Sequence, residues 1–429
     1  MNIIDRGKAF VERLRELAGR TAWDWRRCPY CGETLTHKHG SYVRRPWFLE
    51  GGRQVVRVQR HWCERCRRTY SEQSALLVRG SWYAREVQRC AVDHWQHVGS
   101  SVRRTAEWLR SLLGKQERWK LWRPLDAELG EGERCHLSGS TVERWLDRAG
   151  RAAEQTVVGQ LAGVPMSGQV LVDGLWARLR GGAERVVLLL VDSVTGVMLP
   201  PVVVRSESGW SWARLLVRAR RAGLALDEIR GVTSDGASGL IGLVGRVLEW
   251  ANHQRCIFHV WRNLGGELAL RVSEAAAGLA GKAATAMREQ VRKDLVALIH
   301  GVVDARSEAA ADAALARLKA HQLGTGLARL VEDHLDALLV YLLDYNRGLV
   351  RVAPEWCWRD FRLRLGHGRN EGSAVRLERT ALVWQIYRNF EPAQARSERK
   401  RKYRRPGRSP LAMAGVPPNS ISYLDALGV

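Results

Sequence analysis

Residues 169–174 read Gln-Val-Leu-Val-Asp-Gly, an apolar run that carries one carboxylate, Asp173, near its end. Two further runs of β-branched and aliphatic residues follow at 186–191 and 197–204, with a turn-like Asp-Ser-Val-Thr-Gly at 192–196 between them. Apolar runs bounded by turn residues predict strands. A charge in an apolar strand is costly unless it binds a metal or another partner. The sequence therefore predicts a sheet with a functional carboxylate in its first strand.

The pattern beyond these strands alternates between helix and strand and then becomes helical. Helical spacing over residues 210–222 and 239–250 flanks another apolar strand at 229–234. This order predicts an α/β core whose sheet begins antiparallel. Residues 264–350 are rich in Ala, Leu and Arg with helical periodicity, which predicts an all-helical insertion. A last helix is expected from about residue 370 to residue 389.

The chain is strongly basic. Its 429 residues include 68 Lys and Arg against 45 Asp and Glu, a net charge of +23. An excess of this size is offset most readily by a polyanion, and nucleic acid is the commonest one. The sequence has no apolar run long enough to span a bilayer, and residues 1–22 form a charged amphipathic pattern unlike a signal peptide. We therefore expect a cytoplasmic protein without a membrane partner.

Two C-x-x-C pairs stand in the first seventy residues. Cys28 and Cys31 form the first pair, Cys63 and Cys66 the second, and strand-like sequence separates them. Each tight pair supplies two thiolates, so two pairs complete the tetrahedron that Zn²⁺ prefers. Buried cysteines or a redox pair are the alternatives, but two pairs in a reducing compartment favour zinc. The pattern predicts a zinc ribbon.

The segment after the cysteine pairs is helical and rich in Arg and Trp. Residues 102–109 and 137–146 resemble the two helices of a helix-turn-helix, with Ser140 as the expected N-cap of the second. Such a helix enters the major groove by its N-terminus, so Ser140, Thr141 and Arg144 are candidate DNA-binding residues. Tryptophans at helical spacing are more often core than base-stacking residues. We expect this of Trp82, Trp95, Trp108, Trp122 and Trp145.

A second strand-borne carboxylate, Asp235, ends the apolar run Gly-Val-Thr-Ser-Asp at 231–235, just before a helix. Carboxylates at strand ends of an α/β core can converge, and paired carboxylates suit Mg²⁺, which prefers oxygen ligands. Two such ions about 4 Å apart can activate a water or a 3′-hydroxyl and stabilise the leaving oxygen of a phosphodiester. Asp192 and Asp227 are interpreted as turn residues.

Residues 233–240 read Thr-Ser-Asp-Gly-Ala-Ser-Gly-Leu, and residues 253–264 read His-Gln-Arg-Cys-Ile-Phe-His-Val-Trp-Arg-Asn-Leu. These stretches resemble the Mutator-like superfamily of DDE transposases. That family carries an Asp-Gly after the fourth strand and then a Gln-x-Cys-x-x-His-x-x-x-Asn segment. Cys256, His259 and Asn263 match this segment, and the resemblance marks them as near-site residues rather than catalysts.

The resemblance implies a ribonuclease-H-like fold and a transposase that cleaves and joins DNA with Mg²⁺ or Mn²⁺. Asp173 and Asp235 are then the first two metal-binding catalytic acids. Glu371 is the expected third, because the Asn-Glu at 370–371 stands where the family's Asn-containing loop leads into the Glu helix. The family places a few residues between its Asn and Glu, whereas here they are adjacent. Glu378, two helical turns further along, is the alternative.

A basic run occupies residues 396–408, with eight basic residues and one acid. A solvated charge run is the ordinary interpretation, but the net charge favours contacts with the DNA backbone. Such contacts add affinity rather than sequence specificity. The candidate residues are Arg399, Lys400, Arg401, Lys402, Arg404 and Arg405.

These observations predict a multidomain α+β protein in six parts. They are an N-terminal helix (1–22), a zinc ribbon (23–76), a helix-turn-helix region (77–160), a ribonuclease-H-like core (165–263 and 351–395), a helical insertion (264–350) and a basic tail (396–429). The expected function is transposition on the nucleoid, by a homo-oligomer that joins two DNA ends. The alternative is a non-catalytic, sequence-specific DNA-binding protein derived from a transposase.

Overall fold

The chain forms two compact units in a computed structural model. The structure describes residues 26–50, 52–72, 76–118, 135–343, 350–352, 354–365, 371–392, 407–417 and 422–429. The first unit comprises Met1–Pro165, Ala177–Arg185 and Arg359–Val429, and the second comprises Met166–Trp176 and Val186–Trp358. This grouping assigns residues 359–395 to the first unit, whereas the sequence analysis assigned them to the core. The predicted helix at 1–22, Trp122 and the six candidate residues of the basic tail lie outside the described residues.

Strands and helices alternate in the order expected of a mixed α and β protein. The strands are β1 Thr36–Arg44, β2 Val56–Cys63, β3 Thr69–Ser71, β4 Gln169–Arg178, β5 Glu184–Asp192, β6 Val202–Val204, β7 Gly231–Ser234 and β8 Asn252–Arg255. The helices are α1 Arg85–Val98, α2 Val102–Arg118, α3 Gly139–Thr156, α4 Gly209–Ala222, α5 Ser238–Val247, α6 Ile257–Ala275, α7 Gly281–Val303, α8 Glu308–Ala320, α9 Thr325–Glu332, α10 Leu335–Leu339, α11 Glu355–Arg364, α12 Ala374–Phe390, α13 Pro410–Met413 and α14 Tyr423–Ala426.

The first unit begins with a small antiparallel sheet, β1-β2-β3, and continues with helices. Helices α1, α2 and α3 share one hydrophobic core, to which Val87, Leu109 and Trp145 contribute. The N-cap of α3 is Ser138 rather than Ser140, because the Ser138 side chain accepts a hydrogen bond from the Thr141 amide. The predicted cap was therefore wrong by two residues.

The prediction that the tryptophans of this region are buried holds for some of them and fails for others. Trp95 and Trp145 are buried, as predicted. Trp82 is 69% exposed and Trp108 is 38% exposed, so the prediction was wrong for these two. Trp82 precedes α1 and therefore has no helical face to bury. The ring of Trp108 stacks on His94 at 4.0 Å between centroids, which leaves one ring face in solvent.

The second unit is built on a five-stranded sheet in the order β6-β5-β4-β7-β8. β5 pairs antiparallel with β6, whereas β7 pairs parallel with both β4 and β8. Helices α4 and α5 cover one face, where Leu215 and Val244 border the same small internal space as Val172 and Val232. β5 is almost wholly buried, which is the reason its sequence is a continuous apolar run.

Two elements of this unit differ from the prediction. The strand expected at 197–204 is reduced to β6, since the prolines at 200 and 201 have no amide proton for the ladder. β8 was missed because Asn-His-Gln-Arg carries no apolar pattern. It is held instead by backbone pairing with β7 at the edge of the sheet.

Helices α6 to α10 follow the last strand of the sheet in the chain. They bury a core of their own, in which Leu268, Ile299, Leu318 and Leu327 lie together. In the part of the chain that the structure describes, every helix is too short or too polar to cross a membrane.

Candidate functional site

Asp173 and Asp235 lie side by side at two neighbouring strands of the sheet in the second unit. β4 and β7 are parallel neighbours, and Leu171 pairs with Thr233. Two residues further along each strand, Asp173 and Asp235 are therefore at the same level. Carboxyl ends of parallel strands are where open α/β sheets place their ligand sites. One carboxylate oxygen of each lies within 4.8 Å of the other, and a ring nitrogen of His259 lies equally close to both.

Asp173 is held in place from two sides. The indole Nε1 of Trp358 donates a hydrogen bond to its Oδ2 at 2.8 Å, and the amide of Gly174 donates to its Oδ1 at 2.9 Å. Asp173 is only 3% exposed. Burial of a carboxylate is tolerated when donors or a metal offset the lost hydration. Trp358 thus orients one candidate metal ligand, as a hydrogen-bond partner behind a ligand does in metal sites.

Replacing Trp358 by Phe is expected to lower the affinity for Mn²⁺ by about 10- to 100-fold, because the Asp173 carboxylate loses its orienting donor. The measurement is a calorimetric titration of the purified protein with Mn²⁺. Trp212→Phe is the matched control. Trp212 is equally buried in the same unit, and its Nε1 has no hydrogen-bond partner among the described residues. Equal affinities for the two variants would contradict the orienting role.

His259 reaches the aspartates from the first turn of α6. Cys256 is the N-cap of this helix, and its amide donates to the carbonyl of Ser234 at 2.7 Å, which ties α6 to the end of β7. His259 is buried, and Asn263 lies one turn further along and is exposed. His259 was predicted only to lie near the site. In the structure, one of its ring nitrogens lies within 4.8 Å of a carboxylate oxygen of each aspartate.

Glu207 is a carboxylate near this group that the sequence analysis missed. A Cβ on Gly174 would meet its Oε1, and a Cβ on Gly239 would lie 2.8 Å from the amide of Gly209, the first residue of the helix that follows Glu207. The absent side chains of Gly174 and Gly239 thus make room for the loop. Burial, and then the charge of Asp235, raise the pKa of Glu207, while a hydrogen bond from Trp176 opposes this rise. Nothing in a Ser-Glu-Ser sequence before a helix distinguishes such a residue from a cap.

Glu371 belongs to the first unit and is described there. It lies two residues before Ser373, the N-cap of α12, so the helix begins later than predicted. Its Oε1 accepts a hydrogen bond from Thr380 at 2.7 Å, and its Oε2 has no partner among the described residues. Burial raises the pKa of Glu371. Glu378 lies within α12 and is half-buried.

The four cysteines of the C-x-x-C pairs converge in the first unit. Sγ of Cys28 lies 3.5 Å from Sγ of Cys66, and Sγ of Cys31 lies 3.5 Å from Sγ of Cys63. Zn–S bonds of about 2.3 Å in a tetrahedron put sulfur atoms about 3.8 Å apart. All four Sγ atoms lie within 4.8 Å of one another. The donors and their spacing fit a structural zinc ion.

The candidate DNA-binding residues of α3 occupy its first two turns. Ser140 and Arg144 are exposed, and Thr141 is half-buried. The Arg144 guanidinium donates to Oγ1 of Thr141 at 3.2 Å, which aligns both side chains along the start of the helix. Their role in DNA binding stays a prediction.

Comparison with known proteins gives one family match. The family model described as "Transposase, Mutator family" matches residues 193–277, the segment that contains Asp235, Cys256, His259 and Asn263. This match confirms the resemblance inferred from residues 233–264. None of the curated proteins matches the chain.

Proposed function

Because residues 193–277 match the Mutator family of transposases, we propose that this protein is a DNA transposase with metal-dependent strand cleavage and strand transfer. The observation that carries the proposal is the meeting of Asp173, within β4, with Asp235, directly after the parallel strand β7, and with His259. A family match alone does not distinguish an enzyme from a DNA-binding relative that has lost catalysis. A buried, oriented carboxylate beside a second one favours the enzyme.

The ribonuclease-H-like architecture is part of this proposal. Its support is the sheet order β6-β5-β4-β7-β8, in which β5 and β6 are antiparallel and the last two pairings are parallel. The helical elements α6 to α10, which follow β8, stand where the resemblance expects an insertion. The first acid is then on the central strand, and the second follows its parallel neighbour.

Asp173 and Asp235 would hold the metal, with His259 as a nitrogen donor at the same position. Two oxygens suit Mg²⁺, and the added imidazole makes Mn²⁺ an equally good occupant. When bound, the metal supplies a Lewis acid that activates the attacking hydroxyl and stabilises the leaving oxygen. In cleavage, water attacks phosphorus and the bond to the leaving 3′ oxygen breaks. In strand transfer, the freed 3′-hydroxyl attacks a phosphodiester of the target, the target's bond from phosphorus to its 3′ oxygen breaks, and that oxygen leaves as a protonated 3′-hydroxyl.

Glu371 is the third acid of this proposal. Its carboxylate is half-buried with one oxygen that lacks a partner among the described residues, as a ligand without its metal would be. Burial raises its pKa, and the hydrogen bond from Thr380 and the nearby charge of Arg376 oppose this rise. Glu378 is the alternative, and a comparison of Glu371→Gln with Glu378→Gln in the assay below decides between them.

DNA is the partner that the charge of +23 requires. The zinc ribbon and the helices α1 to α3 would recognise the ends of the element, with Ser140, Thr141 and Arg144 at the base edges. The residues of the basic tail would add backbone contacts. Bringing two ends together needs a homo-oligomer on DNA, and the site of action is the nucleoid.

The test is excision and insertion in cells, with a plasmid element flanked by the native ends of this gene. In cells, we expect excised donor and new insertions with the wild-type protein. In reactions with the purified protein, EDTA should abolish cleavage and strand transfer, and added Mg²⁺ or Mn²⁺ should restore both. Firm binding to the ends without any excision would contradict the enzyme and establish the DNA-binding alternative.

A further inference from the structure

Arg255 is the last residue of β8 and lies near Asp235 in the second unit. None of the roles proposed above uses this residue. Its guanidinium lies directly over Gly236, the residue after Asp235. A Cβ on Gly236 would lie 2.7 Å from Cζ of Arg255. Gly236 also has φ +81°, where side chains are strained. Glycine at 236 therefore allows a guanidinium to approach the Asp235 backbone.

The backbone that carries Arg255 is fixed from several sides. Nε2 of Gln254 donates to the carbonyl of Arg255 at 2.8 Å and to the carbonyl of Leu338 at 2.9 Å. Oε1 of Gln254 accepts from the amide of Tyr341 at 2.8 Å. Gln254 is fully buried, so these bonds anchor the end of β8 to the helical segment. The guanidinium is thus held on a rigid base.

Arg255 lies among three titratable groups, which are Asp235, His253 and His334. Burial lowers the pKa of Arg255, and the nearby charge of Asp235 opposes this effect. His253 and His334 face the same guanidinium, and its charge lowers the pKa of both in addition to their burial. Within the described parts of the chain, Nε of Arg255 is buried without an acceptor. Arg255 as a whole is only half-buried, so part of the residue stays accessible to an anion brought to Asp235.

We propose that Arg255 binds a non-bridging oxygen of the phosphodiester at the aspartate site. The inference rests on the proposed function, since it takes DNA cleavage there as given. Two carboxylates and a phosphate repel one another, and a cation behind Asp235 offsets part of that charge. The planar fork of Arg donates to phosphate oxygens through two groups at once. The role is local to the reacting phosphate and differs from the diffuse backbone binding of the basic tail.

The binding test is a cycle that pairs Arg255→Ala with a single methylphosphonate in the DNA end, which removes the charge of one phosphate. Affinities are measured with Ca²⁺ by fluorescence anisotropy. The methylphosphonate is moved in steps across the junction between element and donor. At one position, we expect the methylphosphonate to lower the affinity of the wild type by about tenfold or more, because a charged hydrogen bond contributes this much. The same methylphosphonate should leave the affinity of Arg255→Ala unchanged relative to unmodified DNA. Arg255→Lys should show an intermediate coupling.

The matched control is Arg246→Ala, which removes the same charge from an exposed position in the last turn of α5. It should show the wild-type response to the methylphosphonate. Thermal unfolding confirms that each variant is folded. In cleavage, Arg255→Ala should lower kcat by about 100- to 1000-fold and raise KM by about tenfold, because the contact to the phosphate is made in the bound state and strengthens in the transition state.

Two results would overturn the inference. One is a methylphosphonate effect that is the same in Arg255→Ala as in the wild type at every position. The other is loss of cleavage by Arg255→Ala without any coupling, which indicates that the residue only balances Asp235. Coupling between Arg255→Ala and the methylphosphonate at one position would support the phosphate contact even if the protein never cleaves the DNA ends. Absence of cleavage would contradict the transposase proposal, so the two failures are distinguishable.

Discussion

Asp173→Asn and Asp235→Asn should each lower strand cleavage by more than about 1000-fold and leave binding to the DNA ends within a few fold. Asn keeps the shape of the side chain but removes the charge that binds a divalent metal. The effect is large because both carboxylates share one site, so neither can replace the other. The measurement is cleavage of a labelled element end in Mg²⁺, with anisotropy as the binding assay.

Asp192→Asn is the matched control for these two variants. Asp192 is as buried as Asp173 and lies in the same unit. Its carboxylate accepts from the amides of Ser167 at 2.7 Å and Thr195 at 2.9 Å, so it closes a turn. Asp192→Asn should lower the free energy of unfolding by about 1–3 kcal/mol and leave the cleavage rate of the folded protein unchanged. Full cleavage by Asp173→Asn or Asp235→Asn would remove the basis of the catalytic proposal.

The sequence was sufficient to single out Asp173 and Asp235, which the structure brings together, and to interpret Asp192 as a turn residue. Each lies in, ends or follows an apolar run: Asp173 lies within β4, and Asp235 directly follows β7. The turn residues at 193–196 mark Asp192 as part of a hairpin link, and its hydrogen bond with Thr195 confirms this. Local patterns of apolar and turn residues carry this information, because a strand buries its side chains with a fixed period.

Glu207, Arg255 and Trp358 could not be found in this way. Each reaches the aspartates through a contact between residues that are distant in the chain, such as Trp358 with Asp173. A polar residue in a loop or at a strand end has the same appearance in sequence whether it faces solvent or a metal site. β8 could not be predicted for a similar reason. Its pairing with β7 uses backbone groups, and its polar side chains show no strand pattern.

Removal of zinc should unfold the ribbon and weaken binding to the DNA ends by about tenfold or more. The sheet β1-β2-β3 has little core of its own, since β1 is almost entirely exposed. The cysteines and Tyr70 form its only described cluster at the metal end. If the cysteines hold zinc as proposed, we expect a sheet of this size to depend on that ion for stability, because the energy of metal binding is then its folding energy.

Cys63→Ser tests this dependence most directly, because Cys63 is fully buried at the end of β2. We expect zinc to fall from one ion per wild-type chain to none, with loss of amide protection over residues 56–71 in hydrogen exchange. Protection in β4 and β5 should persist. Cys90→Ser is the control, because Cys90 is a half-buried thiol in α1 outside the cluster, and it should keep its zinc. A wild-type protein that is free of zinc and still protected over 56–71 would show that packing alone holds the ribbon, and the four thiols would then need another explanation.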